Sequence, residues 1–513
     1  MKIVNDTALV FETEHPQRIT NALKHAHDLG DGTVAVKWTL KAAQNLRRLG
    51  VLAPSPIEAK YDWPGLLKPM SHQKDTAAFL TLHKRAFCFS EQGTGKSAAT
   101  IWAADYLMKE KLIRRALIVC PVSIMDVAWN ADIFSVAMHQ GVAIAHGTAE
   151  KRRKMLALNT PFVIINYEGL EIVKDEIING GFDLIVCDEA SSLKNAQTKR
   201  WKTLHSILKA NPNIYLWLLT GTPAAQGPED AYGLAKLVNP ENIPRTFAGW
   251  RDAVLHKVSQ FRWEPKADAN KTVHRALQPA IRFTKEECLD LPDITYVQRA
   301  VELTKQQRRY YEVLRKQLMV EASGTTVSAV NAAVKMNKLL QLSCGAVYGD
   351  RGEVLEFDIS KRYSVLTEVI DEASKKVLVF VPYTHVIDVL YEKLKGDGYT
   401  VAVIRGDVPL DQRTEIFQKF QRQDDPRILL IQPQAAAHGV TLTAANTVVW
   451  WGPVPSLETY AQANARVHRK GQTHKCTVVQ MQGSPVERKL YSMMDKRIDV
   501  HTQLVDLYKE VLD

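Results

Sequence analysis

The chain has 513 residues, of which 46% are hydrophobic and 24% charged, and its formal net charge is +10 at pH 7. These proportions are those of a globular protein and exclude a low-complexity chain, and no apolar run reaches the roughly 18 residues that span a membrane. At about 150 residues per domain the length predicts about three structural units, and the positive charge weakly favours a polyanionic partner.

Residues 1–62 predict a small N-terminal α/β unit. A strand-like start at Thr7–Phe11 precedes a helical stretch, a second strand at Thr33–Leu40 and a basic helical pattern, and a proline-containing stretch ends the unit. An accessory DNA-binding module and a plain interaction domain are both compatible with this pattern.

Two sets of short apolar strands follow, each alternating with helical patterns. The first set is Ala116–Cys120, Phe162–Tyr167, Asp183–Cys187 and Tyr215–Leu219, and the second is Val377–Val381, Thr400–Ile404, Ile428–Ile431, Thr447–Trp451 and Cys476–Val479. Near-continuous apolar strands between helices are typical of parallel sheets covered on both faces. The pattern therefore predicts two doubly wound α/β lobes.

The predicted boundaries follow from these sets. The first lobe spans residues 63–290, with a helical insertion at about 240–290, and the second lobe spans 359–484. Residues 291–358 are charged and aromatic at helical spacing, which predicts a helical insertion and connection, and residues 485–513 predict C-terminal helices.

Six cysteines lie far apart, and no two form a Cys-x-x-Cys pair. Several fall inside apolar strand runs, so we expect buried, reduced thiols rather than a zinc site or disulfides. The N-terminus lacks the layout of a signal peptide, and we therefore expect an intracellular protein.

The segment Ser90–Ser97 predicts a phosphate-binding loop. It follows an apolar strand and precedes a helical pattern, and glycines at Gly93 and Gly95 would let backbone N–H groups approach a phosphate chain. In such a loop Lys96 would reach the β- and γ-phosphates and the Ser97 hydroxyl would bind Mg²⁺. The usual pattern begins with Gly or Ala, whereas Ser90 stands there in this chain.

An acidic pair follows a later strand. Asp188 and Glu189 come directly after an apolar run, where one carboxylate would hold Mg²⁺ and the other would orient or deprotonate the attacking water. Alone the pair would also fit a helix cap, but together with the phosphate loop it predicts an ATP site. Thr222 lies after another strand end, in a turn that would face the metal or a nucleic-acid phosphate.

Arginines and tryptophans mark the second lobe. Arg466 and Arg469 are three residues apart and would share one face of a helix, which suits an arginine finger pointing at the γ-phosphate; a solvated basic helix is the alternative. Trp450 and Trp451 could stack on bases, but their apolar run favours core packing.

The order of these motifs resembles superfamily-two helicase-like ATPases, and more narrowly the SWI/SNF type. The motifs that carry the resemblance are LKPMSHQ, EQGTGKS, ALIVCPVSIMDVAW, IINYE, DEASSLKN, LTGTP, KVLVFVPYTHVIDVL, QAAAHGVTLT and QANARVHRKGQ. They extend from about Leu67 to Met494. The resemblance implies two RecA-like lobes that enclose ATP between them and move along duplex DNA. The compact form resembles bacterial or phage-borne members, so we expect the cytoplasm of a bacterial or phage-infected cell, with the nucleus as the alternative.

The resemblance also implies roles for individual residues. It implies that Gln73 reads adenine and that the phosphates are bound by Gly93, Thr94, Gly95, Lys96 and Ser97. It implies that Mg²⁺ is held by Ser97 and Asp188, and that the catalytic residues are Lys96, Asp188, Glu189, Arg466 and Arg469, with Arg469 as the arginine finger. The residues that it implies face DNA are Pro121, Thr222, Tyr383, Gly439 and Thr443. Three positions depart from the family. Ser191 replaces a histidine, Ala436 and Ala437 replace glycines, and Trp451-Gly452-Pro453 replaces an Asp and Trp-Asn-Pro segment.

The function we expect is that of an ATP- and Mg²⁺-dependent translocase that acts on duplex DNA as a monomer and has no membrane association. A strand-separating or annealing helicase, a motor acting on RNA, and a nucleic-acid-binding scaffold with a decayed ATPase are the alternatives.

Overall fold

A computed structural model describes residues 1–224, 227–258, 263–288, 292–324, 329–349, 353–436, 440–469 and 471–495. The chain divides into two compact units, one formed by Met1–Ala224 with Pro228–Cys288 and the other by Ala225–Gly227 with Leu289–Asp513. In the described part of the chain, no helix is both long and apolar enough to cross a membrane.

The first unit begins with a four-stranded antiparallel sheet in the order β1-β2-β4-β3. Alternate residues of its central strands, such as Leu9 and Val34, are fully buried, as expected for a sheet with one covered face. They share a core with helices of the following parallel sheet, so the N-terminal α/β unit packs on it. Its elements are β1 (Lys2–Val4), β2 (Ala8–Glu12), α1 (Pro16–Ala22), β3 (Ala26–Gly30), β4 (Thr33–Lys37), α2 (Leu40–Arg48) and α3 (Ile57–Lys60).

A seven-stranded parallel sheet in the order β13-β5-β10-β9-β6-β8-β7 forms the rest of this unit, and a hairpin, β11-β12, lies apart from it. The elements are α4 (Ser71–Leu82), β5 (Arg85–Cys88), α5 (Lys96–Lys109), β6 (Ala116–Val119), α6 (Ala131–Val136), β7 (Val142–Ala145), α7 (Ala149–Ala157), β8 (Phe162–Ile165), α8 (Gly169–Ile172), α9 (Lys174–Asn179), β9 (Leu184–Asp188), α10 (Lys199–Ala210), β10 (Tyr215–Leu219), α11 (Ala231–Val238), α12 (Phe247–Val254), β11 (Leu255–Lys257), β12 (Trp263–Pro265), α13 (Ala269–Ala276), β13 (Ala280–Ile281) and α14 (Lys285–Cys288).

Helices cover both faces of this sheet, which is why its strands are apolar throughout. Along β10, Leu216 and Leu218 enter the core on one face, while Trp217 and Leu219 enter the core on the other. The strands are also in register at their carboxyl ends. Leu219 pairs with both Cys88 and Asp188, so the segments that follow β5, β10 and β9 emerge side by side.

The second unit contains a six-stranded parallel sheet in the order β14-β21-β20-β17-β19-β18 and a hairpin, β15-β16. Its elements are β14 (Ile294–Ala300), α15 (Lys305–Gly324), α16 (Ala329–Cys344), β15 (Ala346–Tyr348), β16 (Val354–Glu356), α17 (Ser360–Glu372), β17 (Lys376–Phe380), α18 (Thr384–Gly396), β18 (Val401–Ile404), α19 (Leu410–Arg422), β19 (Ile428–Ile431), α20 (Pro433–Ala436), β20 (Ala445–Trp450), α21 (Leu457–Asn464), β21 (Cys476–Gln482) and α22 (Pro485–Asp495).

Two parallel sheets, with a small N-terminal α/β unit before them, confirm the predicted fold class of two RecA-like lobes. Several short strands lie in stretches predicted as helical. β11, β12 and β13 fall within the predicted insertion at about 240–290, and β15 and β16 fall within the predicted connection at 291–358. Strand β14 lies in the stretch predicted as a helical connection, yet it pairs along its length with β21. As an edge strand it is only half covered, so its sequence, ITYVQRA, lacks the apolar run that marks the central strands.

Trp450 and Trp451 are fully buried, which confirms that they pack in the core. The Trp450 indole N–H donates to Asn464 Oδ1 at 3.0 Å, and that of Trp451 donates to the Cys344 carbonyl at 2.8 Å. Five of the six cysteines are buried and Cys288 is partly exposed, and none forms a disulfide.

A buried ion pair holds two helices of the second unit together. Arg362 on α17 contacts both carboxylate oxygens of Glu487 on α22, at 2.7 and 2.8 Å, and also donates to the carbonyl of Trp451. Glycine is required beside this pair, because a Cβ atom at Gly452 would lie 2.3 Å from the Cys344 sulfur. This crowding gives a physical reason for the glycine in the departing Trp451-Gly452-Pro453 segment.

Candidate ATP site and DNA-facing segments

The predicted phosphate loop connects β5 to the amino end of α5, which begins at Lys96. Gly93 and Gly95 adopt φ angles of 87° and 80°, in the region that favours glycine. A side chain at Gly95 would be strained by this φ angle, and its Cβ atom would lie 2.0 Å from Gln73 Nε2, which would have to move. Backbone N–H groups at the start of a helix of 14 residues provide a favourable site for an anion.

Lys96 folds back over this loop. Its ammonium donates to the carbonyl of Ser90 at 2.7 Å and to that of Glu91 at 3.2 Å. The Thr94 hydroxyl donates to the same Glu91 carbonyl at 2.8 Å. The Lys96 contacts hold its positive charge against the loop.

Gln73, the predicted adenine reader, contacts the phosphate loop through its amide. Nε2 donates to the carbonyls of Thr94 and Gly95 at 3.3 and 3.4 Å, while Oε1 accepts from the backbone N–H of Met70 at 2.9 Å. The neighbouring His72 ring lies 2.8 Å from the Thr94 carbonyl. Helix α4 therefore braces the loop, and the role of Gln73 in reading adenine stays a prediction.

Ser90 has a structural partner that explains its place in the loop. Its buried hydroxyl accepts a hydrogen bond from the Phe283 backbone N–H at 3.1 Å, and the Glu91 N–H donates to the Phe283 carbonyl at 2.9 Å. The chain after β13 thus continues the sheet edge along the phosphate loop. A glycine or alanine at position 90 would lack the oxygen that makes this contact.

Asp188, at the end of β9, accepts hydrogen bonds from two aromatic residues that have no predicted role. Its Oδ2 atom accepts from the indole N–H of Trp129 at 2.9 Å, and its backbone carbonyl accepts from the Tyr167 hydroxyl at 2.8 Å. Trp129 is fully buried and lies in a π-helical turn, Met125–Asn130, in the segment after β6; Tyr167 lies in the segment after β8. Tyr167 lies in the IINYE motif and Trp129 at the end of the ALIVCPVSIMDVAW motif, but neither motif alone indicates a contact with Asp188.

Glu189 adopts a left-handed conformation, with φ of 51°, that is uncommon for a residue other than glycine. Its backbone N–H donates to Asp188 Oδ1 at 2.9 Å, which fixes the Asp188 carboxylate relative to the chain. Its Oε1 atom accepts from Gln92 Nε2 at 3.2 Å. The loop and the acidic pair are therefore directly connected.

Charges of both signs surround the end of β5. Burial raises the pKa of the Cys88 thiol, the charge of Lys96 opposes this rise, and the charge of Asp188 adds to it. Lys96 and Asp188 both act on the same buried atom, as expected if the loop and the acidic pair form one site.

The donors at this edge suit Mg²⁺. Ser97 supplies a hydroxyl oxygen and Asp188 carboxylate oxygens, the hard ligands that Mg²⁺ prefers. Within the described residues no group of three or more His, Cys, Asp or Glu side chains could hold a metal ion. Mg²⁺ usually keeps several waters and binds through one or two carboxylates together with substrate phosphates, which fits this donor set.

Two residues predicted to face DNA lie at the same edge of the sheet. Pro121 follows β6, whose last residue, Val119, pairs with Cys187 next to Asp188. Thr222 follows β10, and its N–H donates to the Thr220 hydroxyl at 3.2 Å. Both positions are partly exposed.

The second unit carries the other predicted site residues. The Tyr383 hydroxyl donates to Asn337 Oδ1 at 3.0 Å, and burial raises its pKa well above the usual value. The Thr443 hydroxyl accepts from Gln421 Nε2 at 3.0 Å. Gly439 lies outside the described residues, as does Ala437.

The two arginines do not share a helix face, which corrects the sequence argument for pairing them. Helix α21 ends at Asn464, and Arg466 and Arg469 lie in the turns beyond it. Arg466 is buried, whereas Arg469 is partly exposed and donates to the carbonyl of Val440 at 3.2 Å. Their catalytic roles stay predictions.

Gln472, which ends this arginine motif, holds the turn in place. Its Nε2 atom donates to the carbonyl of Ala445 at 2.8 Å, and its Oε1 atom accepts from two backbone N–H groups, those of Thr473 and His474. A buried amide that satisfies this many backbone groups is a structural anchor for the segment that carries Arg469.

Comparison with known proteins identifies two domains. Residues 33–344 match the SNF2-related domain, and residues 361–471 match the helicase conserved C-terminal domain. The chain is 27% identical over 396 residues to an uncharacterized ATP-dependent helicase of Mycoplasma genitalium, an alignment that covers 75% of this chain and 36% of that protein. It therefore spans little more than a third of that relative.

Two further relatives and one solved structure are similar. Protein p41 of Acyrthosiphon pisum secondary endosymbiont phage 1 is 24% identical, over 75% of this chain and 85% of its own length. The chain is also 24% identical to a Caenorhabditis elegans protein, over 88% of this chain and 64% of that protein. That relative is the homolog of SWI/SNF-related matrix-associated actin-dependent regulator of chromatin subfamily A-like protein 1. The SWI2/SNF2 ATPase core of Sulfolobus solfataricus in complex with dsDNA aligns with a TM-score of 0.40 at 20% identity, covering 85% of this chain and 92% of that one.

The SNF2-related match covers more than half of the chain. The family predicted from the motifs is thereby confirmed: the protein belongs to the SNF2-related family of helicase-like ATPases.

Proposed function

We propose that the protein is an ATP-driven translocase that moves along duplex DNA. The observation that carries this proposal is the common edge of the parallel sheet in the first unit. There the phosphate loop, the acidic pair and the segments after β6 and β10 emerge from aligned strand ends. This adjacency supports a coupling between nucleotide chemistry and contacts to a polyanion.

The proposed roles follow from the side chains at this edge. Lys96 leaves the loop carbonyls and binds the β- and γ-phosphates, while Ser97 and Asp188 hold Mg²⁺, which would neutralise phosphate charge. Glu189 accepts a proton from the attacking water. Arg469, with Arg466, supplies positive charge to the γ-phosphate from the second unit and stabilises the transition state.

Pro121, Thr222, Tyr383, Gly439 and Thr443 are proposed to face the DNA backbone. Contacts to phosphates rather than to bases would make movement independent of sequence and sensitive to salt. The net charge of +10 supports a polyanionic partner. We propose that a single copy of the chain is the active form.

The proposal predicts which nucleic acid stimulates ATP hydrolysis. Equal nucleotide concentrations of duplex DNA, single-stranded DNA and RNA should be compared at several salt concentrations. We expect duplex DNA to stimulate most, and the stimulation to fall as salt rises because counterion release weakens binding. Stimulation by RNA alone, or hydrolysis at background with all three polymers, would contradict the proposal.

Replacing Trp129 by phenylalanine is expected to weaken Mg²⁺-dependent hydrolysis. The ring is kept, but the hydrogen bond that orients the Asp188 carboxylate is lost, and outer-sphere changes of this kind cost about 10- to 100-fold in metal affinity or activity. The half-maximal Mg²⁺ concentration for ATP hydrolysis checks this directly.

Trp201→Phe is the matched control, because it also removes one buried indole bond, to the Gly233 carbonyl at 2.8 Å. It should leave the Mg²⁺ dependence unchanged. An equal shift in both variants would mean that general loosening, and not the orientation of Asp188, causes the effect.

A further inference from the structure

Gln92 is a loop residue whose side chain the motif does not explain. It lies in the loop between Ser90 and Lys96, yet its Nε2 atom reaches Glu189 and donates to Oε1 at 3.2 Å. A phosphate loop needs glycines, a lysine and a hydroxyl, whereas nothing in its binding of phosphate requires an amide at this position. The contact to Glu189 is therefore a separate feature.

The other end of the same amide is unsatisfied. Gln92 Oε1 is shielded from solvent and accepts no hydrogen bond from any of the described residues. Buried carbonyl oxygens are nearly always paired, so an unpaired one calls for a missing donor.

The surroundings of Gln92 are those of the reaction site. Its Cγ atom and its backbone nitrogen would each lie 3.8 Å from a Cβ atom placed on Gly221. The side chain is thus bordered by the phosphate loop, by Glu189 and by the turn that follows β10. These three segments follow the aligned ends of β5, β9 and β10.

We propose that Gln92 positions the attacking water together with Glu189, an inference that rests on the proposed function. Nε2 holds one carboxylate oxygen of Glu189, and Oε1 accepts a hydrogen bond from the water. With its two hydrogens directed at Gln92 and Glu189, the water turns a lone pair towards the phosphate. A glutamine that orients the attacking water is an established solution in nucleotide hydrolysis.

The step balances with the groups already named. The water oxygen forms a bond to the γ-phosphorus, and the bond from that phosphorus to the β–γ bridging oxygen breaks. The electron pair of the broken bond stays on ADP, and the proton that the water loses passes to the Glu189 carboxylate. Gln92 neither gains nor loses a proton, so it acts as a positioning residue.

The test compares Gln92→Met, which keeps length and removes the amide, with the wild-type chain in DNA-stimulated ATP hydrolysis. We expect kcat to fall on the order of 100-fold, the cost of misplacing a reacting group by about 1 Å, while the KM for ATP and the affinity for a fluorescent ATP analogue change less than about 2-fold. In a Glu189→Gln background the same substitution should cost nothing further, because the two residues act as one unit.

Gln44→Met is the matched control. Gln44 is a buried glutamine, and its Nε2 atom donates to the Thr81 carbonyl at 2.7 Å, away from the acidic pair. We expect its kcat and KM to equal those of the wild type. Thermal unfolding of all variants separates lost stability from lost positioning.

Three results would overturn the inference. An unchanged kcat in Gln92→Met would show that the amide is not needed, and a raised kcat would mean that it restrains Glu189. A loss of ATP affinity equal to the loss of kcat would assign Gln92 to nucleotide binding instead. Failure of the proposed function looks different, because the wild-type chain itself would then hydrolyse no ATP with any nucleic acid.

Discussion

Lys96→Ala is expected to abolish most DNA-stimulated ATP hydrolysis, lowering kcat about 100- to 1000-fold. The loss reflects removal of a positive charge placed to stabilise developing negative charge on the phosphates, where one such donor is worth this much. The ammonium lies at the loop, 2.7 Å from the Ser90 carbonyl. Steady-state hydrolysis with saturating duplex DNA measures the effect.

The control for this variant is Lys109→Ala at the other end of the same helix. Lys109 forms an exposed ion pair with Asp62 at 2.9 Å, and its removal should leave kcat unchanged. If Lys96→Ala hydrolysed ATP at the wild-type rate, the phosphate loop would not be part of the catalytic site.

Glu487→Ala is expected to destabilise the second unit by about 3–5 kcal/mol. The substitution leaves the Arg362 guanidinium buried without its carboxylate, and breaking a buried pair on one side costs this much. The side chains of Arg362 and Glu487 are 3% and 0% exposed, so water cannot replace the lost partner. The backbone N–H groups of Gly483 and Ser484 also lose the acceptor that they share.

Chemical denaturation followed by circular dichroism measures this loss. Glu302→Ala is the matched control, because it breaks the exposed pair with Lys361, the residue next to Arg362. Exposed pairs contribute little to stability because water screens them, so the control midpoint should hardly move. Equal losses in the two variants would mean that burial of the Arg362–Glu487 pair is energetically unimportant.

The fold was predictable wherever burial left a pattern in the sequence. The central strands, such as Tyr215–Leu219, are covered on both faces and are therefore apolar at every position. Edge strand β14 is covered on one face only, and its mixed composition is similar to that of the charged helices around it. The end of α21 at Asn464 was not predictable from spacing. The five residues that follow it, 465–469, form turns, but none of them is a glycine or proline that would mark the end of a helix.

The site was predictable in its chain positions but not in its side-chain contacts. Gly93, Lys96 and Asp188 stand at fixed offsets from strand ends, and parallel pairing brings those ends together. Trp129 and Gln92 reach the acidic pair from 59 and 97 residues away along the chain, through contacts that only tertiary packing creates. Spacing along one sequence carries no record of such contacts.

Displacement of the third strand from a DNA triplex tests the central claim most directly, because a motor that moves along duplex DNA strips that strand without separating the duplex. We expect ATP-dependent displacement by the wild-type chain, none by Lys96→Ala, and no unwinding of a forked duplex under the same conditions. Robust unwinding of the fork with no displacement from the triplex would contradict the account.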